Sequence, residues 1–209
     1  MTNRPTRRKA PTYQRSLLFF KETAGKYPVY YAMGNHESTW AADPRYQSGF
    51  EDYLKQLEGA GVVFLRNESL FLDAEKHIRL SGLELGKEQY THHFGKKQRP
   101  TPAELNQMLG EAAGFEILIA HNPDYWKEYA AWGADLVLSG HIHGGQVRLP
   151  FIGGLVAPGL RLFPRYSKGL YEQGQKKMIV SAGLGTHTMP FRVANPRELV
   201  IIELTGERE

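Results

Sequence analysis

Short apolar runs alternate with amphipathic stretches along this chain, and that alternation constrains its fold more than any other feature. PVYYAM (28–33), VVFLRNESLFL (62–72), HIRLSGLE (77–84), FEILIA (115–120), ADLVLS (134–139), KMIVSA (177–182) and ELVIIEL (198–204) read as strands. VVFLRNESLFL contains an Asn turn, so it counts as two strands. Between them lie helical stretches. QRSLLFFKETA (14–24) ends at Gly25, and residues 49–60 place Phe50, Tyr53, Leu54 and Leu57 on one face. A third stretch, 102–112, opens on proline, and DYWKEYAAW (124–132) supplies a fourth. Strands alternating with helices predict an α/β architecture with its sites at the carboxyl ends of the strands.

The chain has 209 residues, 41% of them apolar and 23% charged, which suits one globular domain over 1–209 with loose residues 1–13. It has no cysteine, so disulfides and thiolate metal sites are excluded and His, Asn, Asp and Glu remain as ligands. No apolar run approaches the roughly 20 residues of a transmembrane helix, and no signal peptide is visible. The expected location is cytoplasmic or membrane-associated. The net charge of +4 is mild. Its two clusters, Arg4/Arg7/Arg8/Lys9 and Lys96/Lys97/Arg99, suit solvated surface first, and attraction to anionic substrate or lipid headgroups second. No stacking-aromatic pattern points to nucleic acid.

Three of the strands run into polar loops that carry histidine: GNHES after 28–33, HNPDY after 115–120 and GHIHGGQ after 134–139. The expected fold therefore brings Asn35, His36, His121, His141 and His143 to one edge. Imidazole and amide oxygen suit borderline divalent metals, and the glycines around His141 and His143 permit tight or left-handed backbone.

In this order, GNHE (34–37), AHNPD (120–124) and GHIH (140–143) resemble the last three motif blocks of the calcineurin-like metallophosphoesterases. The likeness continues through GHIHGGQVRLPFIGGLVAPGL, SKGLYEQG and PRELVIIEL. It covers the chain from residue 14 onward, and is similar to a bacterial phosphodiesterase or UDP-2,3-diacylglucosamine pyrophosphatase-like subgroup. The resemblance implies a four-layer αββα sandwich. It also implies a pair of divalent metals (manganese, iron or zinc) that lower the pKa of bound water and clamp phosphoryl oxygens for in-line attack. By motif position, Asn35, His121 and His141 would bind the second metal and His143 the first. His36 would act as general acid or transition-state stabiliser, and Glu37 would orient a neighbouring group.

The family's opening blocks, D-x-H and G-D, do not occur in these 209 residues. None of Asp43, Asp52, Asp73, Asp124 and Asp135 is followed two residues on by His or preceded by Gly. The expectation is therefore a domain lacking its first two strands and its bridging carboxylate, with Met1 falling just after that Asp. Such a chain would be poorly stable, would hold one metal or none, and would be hydrolytically weak or inactive. A non-catalytic remnant that binds one metal or a phosphorylated ligand is the alternative, and an unused structural remnant the third reading. The expected partner is a small phosphorylated substrate, with a lipid-linked phosphate and peripheral membrane contact compatible by analogy with the subgroup. Arg148, His187 and Arg192 are the candidate substrate contacts; for Arg192 a sheet-edge carboxylate is an equal reading. His92 and His93 suit a solvated loop, and His77, Trp126 and Trp132 suit structure. Phe151, Phe163 and Tyr166 suit core packing over a substrate groove.

Overall fold

The computed structural model describes residues 13–90, 98–145, 147–149, 153–157, 161–185 and 192–206. They form two compact units, one of 13–31 with 35–64, the other of 32–34 with the described residues from 65 onward.

The first unit contains helix α1 (Gln14–Ala24), strand β1 (Val29–Ala32) as far as Tyr31, helices α2 (Asn35–Ala42) and α3 (Gln47–Glu58), and strand β2 (Val62–Leu65) as far as Phe64, with β1 and β2 paired. As its spacing predicts, α3 buries Phe50, Tyr53 and Leu57. An aromatic cluster holds the unit together. Tyr13 stacks on Tyr53 at 4.8 Å and meets the edge of Trp40 at 5.6 Å, while Tyr31 sits between Phe20 (5.3 Å) and Phe64 (5.1 Å). Gly25 ends α1 as expected, but in right-handed geometry (φ −69). The backbone N–H groups of Lys26 and Tyr27 still bond to Thr23, and Pro28, which disfavours helical geometry in the residue before it, stops the turn. Helix α2 was not foreseen. NHESTWAA lacks an apolar stripe, so no helical period marks it.

The second unit is built on a six-stranded sheet. In chain order it contains β3 (Glu68–Asp73), β4 (Ile78–Leu83), α4 (Pro102–Leu109), β5 (Phe115–Ala120), α5 (Trp126–Trp132), β6 (Leu136–Ser139), β7 (Val147–Leu149), β8 (Gly153–Ala157), β9 (Arg161–Leu162), β10 (Gly169–Gln173) and β11 (Lys176–Val180). The sheet order is β10-β11-β6-β5-β4-β3. Neighbours β4/β5, β5/β6 and β6/β11 are parallel, and the outer pairs β3/β4 and β10/β11 are antiparallel. Helices α4 and α5 pack against it through Leu105, Leu109, Trp126, Tyr129 and Trp132, so both tryptophans lie in the core. Thr101 and Glu104 form a capping box that starts α4. The expected mixed α/β organisation with a central sheet is thus present.

Three stretches differ from expectation. Residues 147–162, to which the apolar pattern assigns no strand, contain a small antiparallel sheet of order β7-β8-β9, whose short glycine-interrupted strands give little periodic signal, and β10 is likewise a strand that no apolar run marks. ELVIIEL is not in a strand, and Leu199 and Ile201 are 76% and 89% exposed. Alternating apolar sequence confers β-propensity, but a ladder also needs a partner edge, and among the described residues none pairs with this stretch. No helix among the described residues is long and apolar enough to cross a membrane.

Candidate active site

Four parallel strands, β4, β5, β6 and β11, end at one edge of the six-stranded sheet. His121 directly follows β5, and Gly140–His143 directly follow β6. The Gly140 N–H donates to the His121 carbonyl at 3.2 Å, which ties the two loops together. The His121 and His141 rings meet edge to face, with centroids 5.1 Å apart. Tyr90, in the connection after β4, lies 5.3 Å from the His141 ring and 6.4 Å from that of His121. Sequence reasoning missed Tyr90. No motif marks it, and only the parallel order of β4, β5 and β6 brings it beside the histidines.

The Gly-His-x-His turn is built from left-handed backbone. His141 has φ 66 and His143 φ 53. The Ile142 N–H donates to the Gly140 carbonyl at 2.7 Å, so His141 is the centre of a three-residue turn with positive φ, a rare and strained type. The Gly145 N–H donates to the Ile142 carbonyl at 2.9 Å across His143 and Gly144, both at positive φ, a second turn of the primed class. Ile142, 2% exposed, anchors the turn in the interior. Non-glycine residues held in this region cost of order 1–3 kcal/mol each and persist where their surroundings over-determine them.

Asn195 supplies that over-determination. It is buried, and its Nδ2 donates to the carbonyls of His143 and Gly145, both at 2.6 Å. Gly144 is at φ 74, and a Cβ there would lie 2.6 Å from Asn195 Oδ1. Sequence reading passed over Asn195 because it stands 52 residues from His143 in an irregular segment. That segment is itself pinned. Arg192 donates to the carbonyls of Ala182, Gly183 and Pro196. Glu198 accepts from the Ala182 N–H at 2.8 Å and pairs with Lys168 at 3.0 Å. Burial tends to raise the Glu198 pKa, but these two contacts outweigh it and hold the carboxyl below its usual range.

In the first unit, Asn35 and His36 open helix α2 instead of lying in a loop. The Asn35 Oδ1 is buried with no hydrogen-bond partner among the described residues, as an oxygen meant for a cation would be. His36 is exposed and lies 5.9 Å from the Trp40 ring. Glu37 accepts from Tyr31 Oη at 3.0 Å. Burial, and then the charge of Glu37, push the Tyr31 phenol far up, so it remains a donor.

Arg148 lies five residues beyond His143, its Nη1 3.4 Å from the Gly144 carbonyl. Arg192 faces backbone carbonyls, and burial with the nearby Arg197 lowers its pKa. Tyr166 is buried, whereas Phe163 is 61% exposed and does not pack in the core. His77 has φ 50 and precedes β4, its carbonyl accepting from the Phe115 N–H at 2.8 Å. His187, His92, His93, Phe151 and all of the two basic clusters but Arg99 lie outside the described residues. Arg99 pairs with Glu128 at 2.6 Å.

The two imidazoles in contact in the second unit are donor chemistry for a borderline divalent metal, and so, in the first unit, is the unpartnered amide oxygen of Asn35. Among the described residues no three His, Asp or Glu side chains converge as a complete metal-holding group.

A family model for calcineurin-like phosphoesterases matches residues 4–145. A metallophosphoesterase of Campylobacter jejuni is 33% identical over 87% of this chain and 43% of its own length. One from Aquifex aeolicus is 30% identical over 88% of this chain and 62% of its own. The phosphodiesterase YaeI of Escherichia coli is 28% identical over 76% of this chain and 52% of its own. The chain thus spans roughly half the length of the curated relatives it matches. No solved structure matches it.

Proposed function

Since the chain belongs to the calcineurin-like phosphoesterase family, we propose that it carries part of a metal-dependent phosphoester hydrolase site, centred on the His121–His141 pair. Members of that family generally use divalent metal ions. The observation that carries the reading is the edge-to-face contact of these two histidines at the carboxyl ends of adjacent parallel strands. In this reading His121 and His141 hold one divalent cation, Asn35 is a ligand by its place in the family's motif, and His143 is the ligand that remains for a second ion, which the chain alone is not expected to fill. Manganese, iron and zinc all suit such donors. A metal held there supplies Lewis acidity and an acidified water.

The chain's own residues do the rest. Tyr90 packs on the histidine rings and limits their rotation. His36 donates a proton to the leaving oxygen. Arg148, beside the histidine turn, neutralises a phosphoryl oxygen, and His187 is a further substrate contact. Arg192 braces the segment that bears Asn195. The substrate is a phosphodiester or phosphomonoester, and a lipid-linked phosphate met by peripheral membrane contact fits the same chemistry.

Because D-x-H and G-D do not occur in the sequence, the expected occupancy is at most one ion per chain, with slow turnover. Metal content after dialysis against manganese or zinc, measured with bis(p-nitrophenyl) phosphate hydrolysis, tests this. One ion and weak hydrolysis, both lost in His141→Ala, is the expected result. Two ions with fast turnover would refute the partial site. No metal and no hydrolysis would refute the hydrolase reading.

A further inference from the structure

The connection after β4 and the loop after β5 meet at one backbone oxygen. Gln89 is followed by Tyr90, whose ring lies 5.3 Å from that of His141 and 6.4 Å from that of His121. The Gln89 carbonyl accepts from Tyr125 Oη at 2.5 Å and from Asn122 Nδ2 at 3.5 Å. Both donors belong to the loop that begins at His121, and both are fully buried.

A peptide unit is planar, so a pinned carbonyl fixes more than its own residue. The Gln89 C=O shares its plane with the nitrogen and Cα of Tyr90. Holding that oxygen sets the direction in which the Tyr90 side chain leaves the backbone. The turn adds a second hold, since the Tyr90 N–H donates to the Lys87 carbonyl at 3.0 Å.

The two donors are themselves held. The Tyr125 ring meets that of Tyr129 edge to face at 6.3 Å, and the Arg99 guanidinium lies 5.3 Å over it. Tyr129 Oη donates to the Asn122 carbonyl at 2.9 Å, and Asn122 Oδ1 accepts from the Asp124 N–H at 3.1 Å. A core tyrosine needs only some acceptor for its hydroxyl. Tyr125 takes the carbonyl next to the residue that packs on the histidines, and the directions of binding side chains depend on the layer that supports them.

We propose that Tyr125 is a positioning residue for the histidine pair. Through the Gln89 carbonyl it holds the Tyr90 ring against His121 and His141, and so keeps both imidazoles in the directions that receive a cation. The last step rests on the proposed metal-site reading; the line from Tyr125 through Gln89 and Tyr90 to the imidazoles does not, because it needs no metal.

Imidazole carbon–proton NMR spectra of the EDTA-treated full chain test that line, and zinc affinity by competition with a chelating dye tests the last step. Tyr125→Phe keeps the ring and removes the hydroxyl. It should move the His121 and His141 resonances, because the ring current of Tyr90 at them changes, and weaken zinc about two- to tenfold, the worth of one neutral hydrogen bond. Tyr90→Leu should move the same resonances and weaken zinc at least as much. In the Tyr90→Leu background, Tyr125→Phe should then change zinc affinity by less than about twofold, since its effect passes through the lost ring. Trp132→Phe removes another hydrogen bond of the same core, to the Gly110 carbonyl at 3.0 Å, and should leave the imidazole resonances in place. Should Tyr125→Phe fold poorly by circular dichroism, Asn122→Ser carries the same expectations in direction, because serine keeps the turn's cap and loses the amide donor. Unmoved imidazole resonances in Tyr125→Phe, an undiminished loss of zinc in the Tyr90→Leu background, or equal movement in Trp132→Phe would overturn the positioning role. Moved resonances with unchanged zinc affinity would overturn its last step. No zinc bound by the wild type, with the resonances still moved by Tyr125→Phe, would count against the metal-site reading alone.

Discussion

The two regions that carry the candidate ligands are built by different means. Asn35 and His36 stand in the first turn of a regular helix, where ordinary backbone geometry aims their side chains. His141 and His143 stand in left-handed backbone that a distant asparagine must hold. The first region costs little to form and is supported locally, by Tyr31 on Glu37. The second stores strain, and its geometry depends on a contact from 52 residues away. Placing two histidines two residues apart on one tight turn requires the second kind of construction. A helix or strand would fix their directions by its own period.

Substitutions that break this contrast should differ in size. Gly144→Ala is expected to have the largest effect. It combines a residue at φ 74 with a Cβ 2.6 Å from Asn195 Oδ1, and should cost about 2–4 kcal/mol in urea denaturation. Asn195→Leu comes next. It deletes two hydrogen bonds, one buried and one half-buried, which should cost about 1–3 kcal/mol. Metal affinity, read by competition with a chelating dye, should fall with it, and Asn195→Ser should recover neither.

In the helical region the matching change is milder. Tyr31→Phe removes one half-buried hydrogen bond to Glu37 and should cost about 0.5–1.5 kcal/mol. Metal affinity should fall by no more than about tenfold, the upper end of that energy. An equal loss of metal in Tyr31→Phe and Asn195→Leu would erase the distinction between the two regions.

The smallest effect concerns pH. Glu198 is held below its usual pKa in the folded chain, so its contribution is present above the unfolded value and fades as pH falls through the lower, folded one. Wild type should therefore lose stability relative to Glu198→Gln as the solution becomes acidic below the ordinary carboxylate range. Parallel pH profiles of the two melting temperatures would show that this carboxylate does not brace the segment bearing Asn195.

Much of this was legible from local pattern. Helix α3 announced itself through Phe50, Tyr53 and Leu57, and strands β5 and β6 through continuous apolar runs bounded by Gly and Asn. His121 and His141 were legible because each directly follows such a run. Helix α2 was hidden because its sequence has no apolar period, and the β7-β8-β9 sheet because short strands broken by glycine carry little signal. Tyr90 and Asn195 were out of reach. Their roles depend on which strands are neighbours and on contacts between distant segments, and local sequence encodes neither.

The sequence by itself determined the family chemistry. It supplied imidazole and amide donors in a recognisable order, glycines beside His141 and His143, and no thiolate. Tertiary structure alone decided which donors meet. It brought His121 and His141 into contact by pairing β5 with β6 in parallel, and placed Tyr90 against both rings. It also set the Tyr125 hydroxyl on the Gln89 carbonyl. The physical reason is range. Donor identity and backbone permission are properties of single residues, whereas ring contacts, strain held by a remote side chain and hydrogen bonds between loops exist only once the chain has paid the entropy of bringing distant segments together.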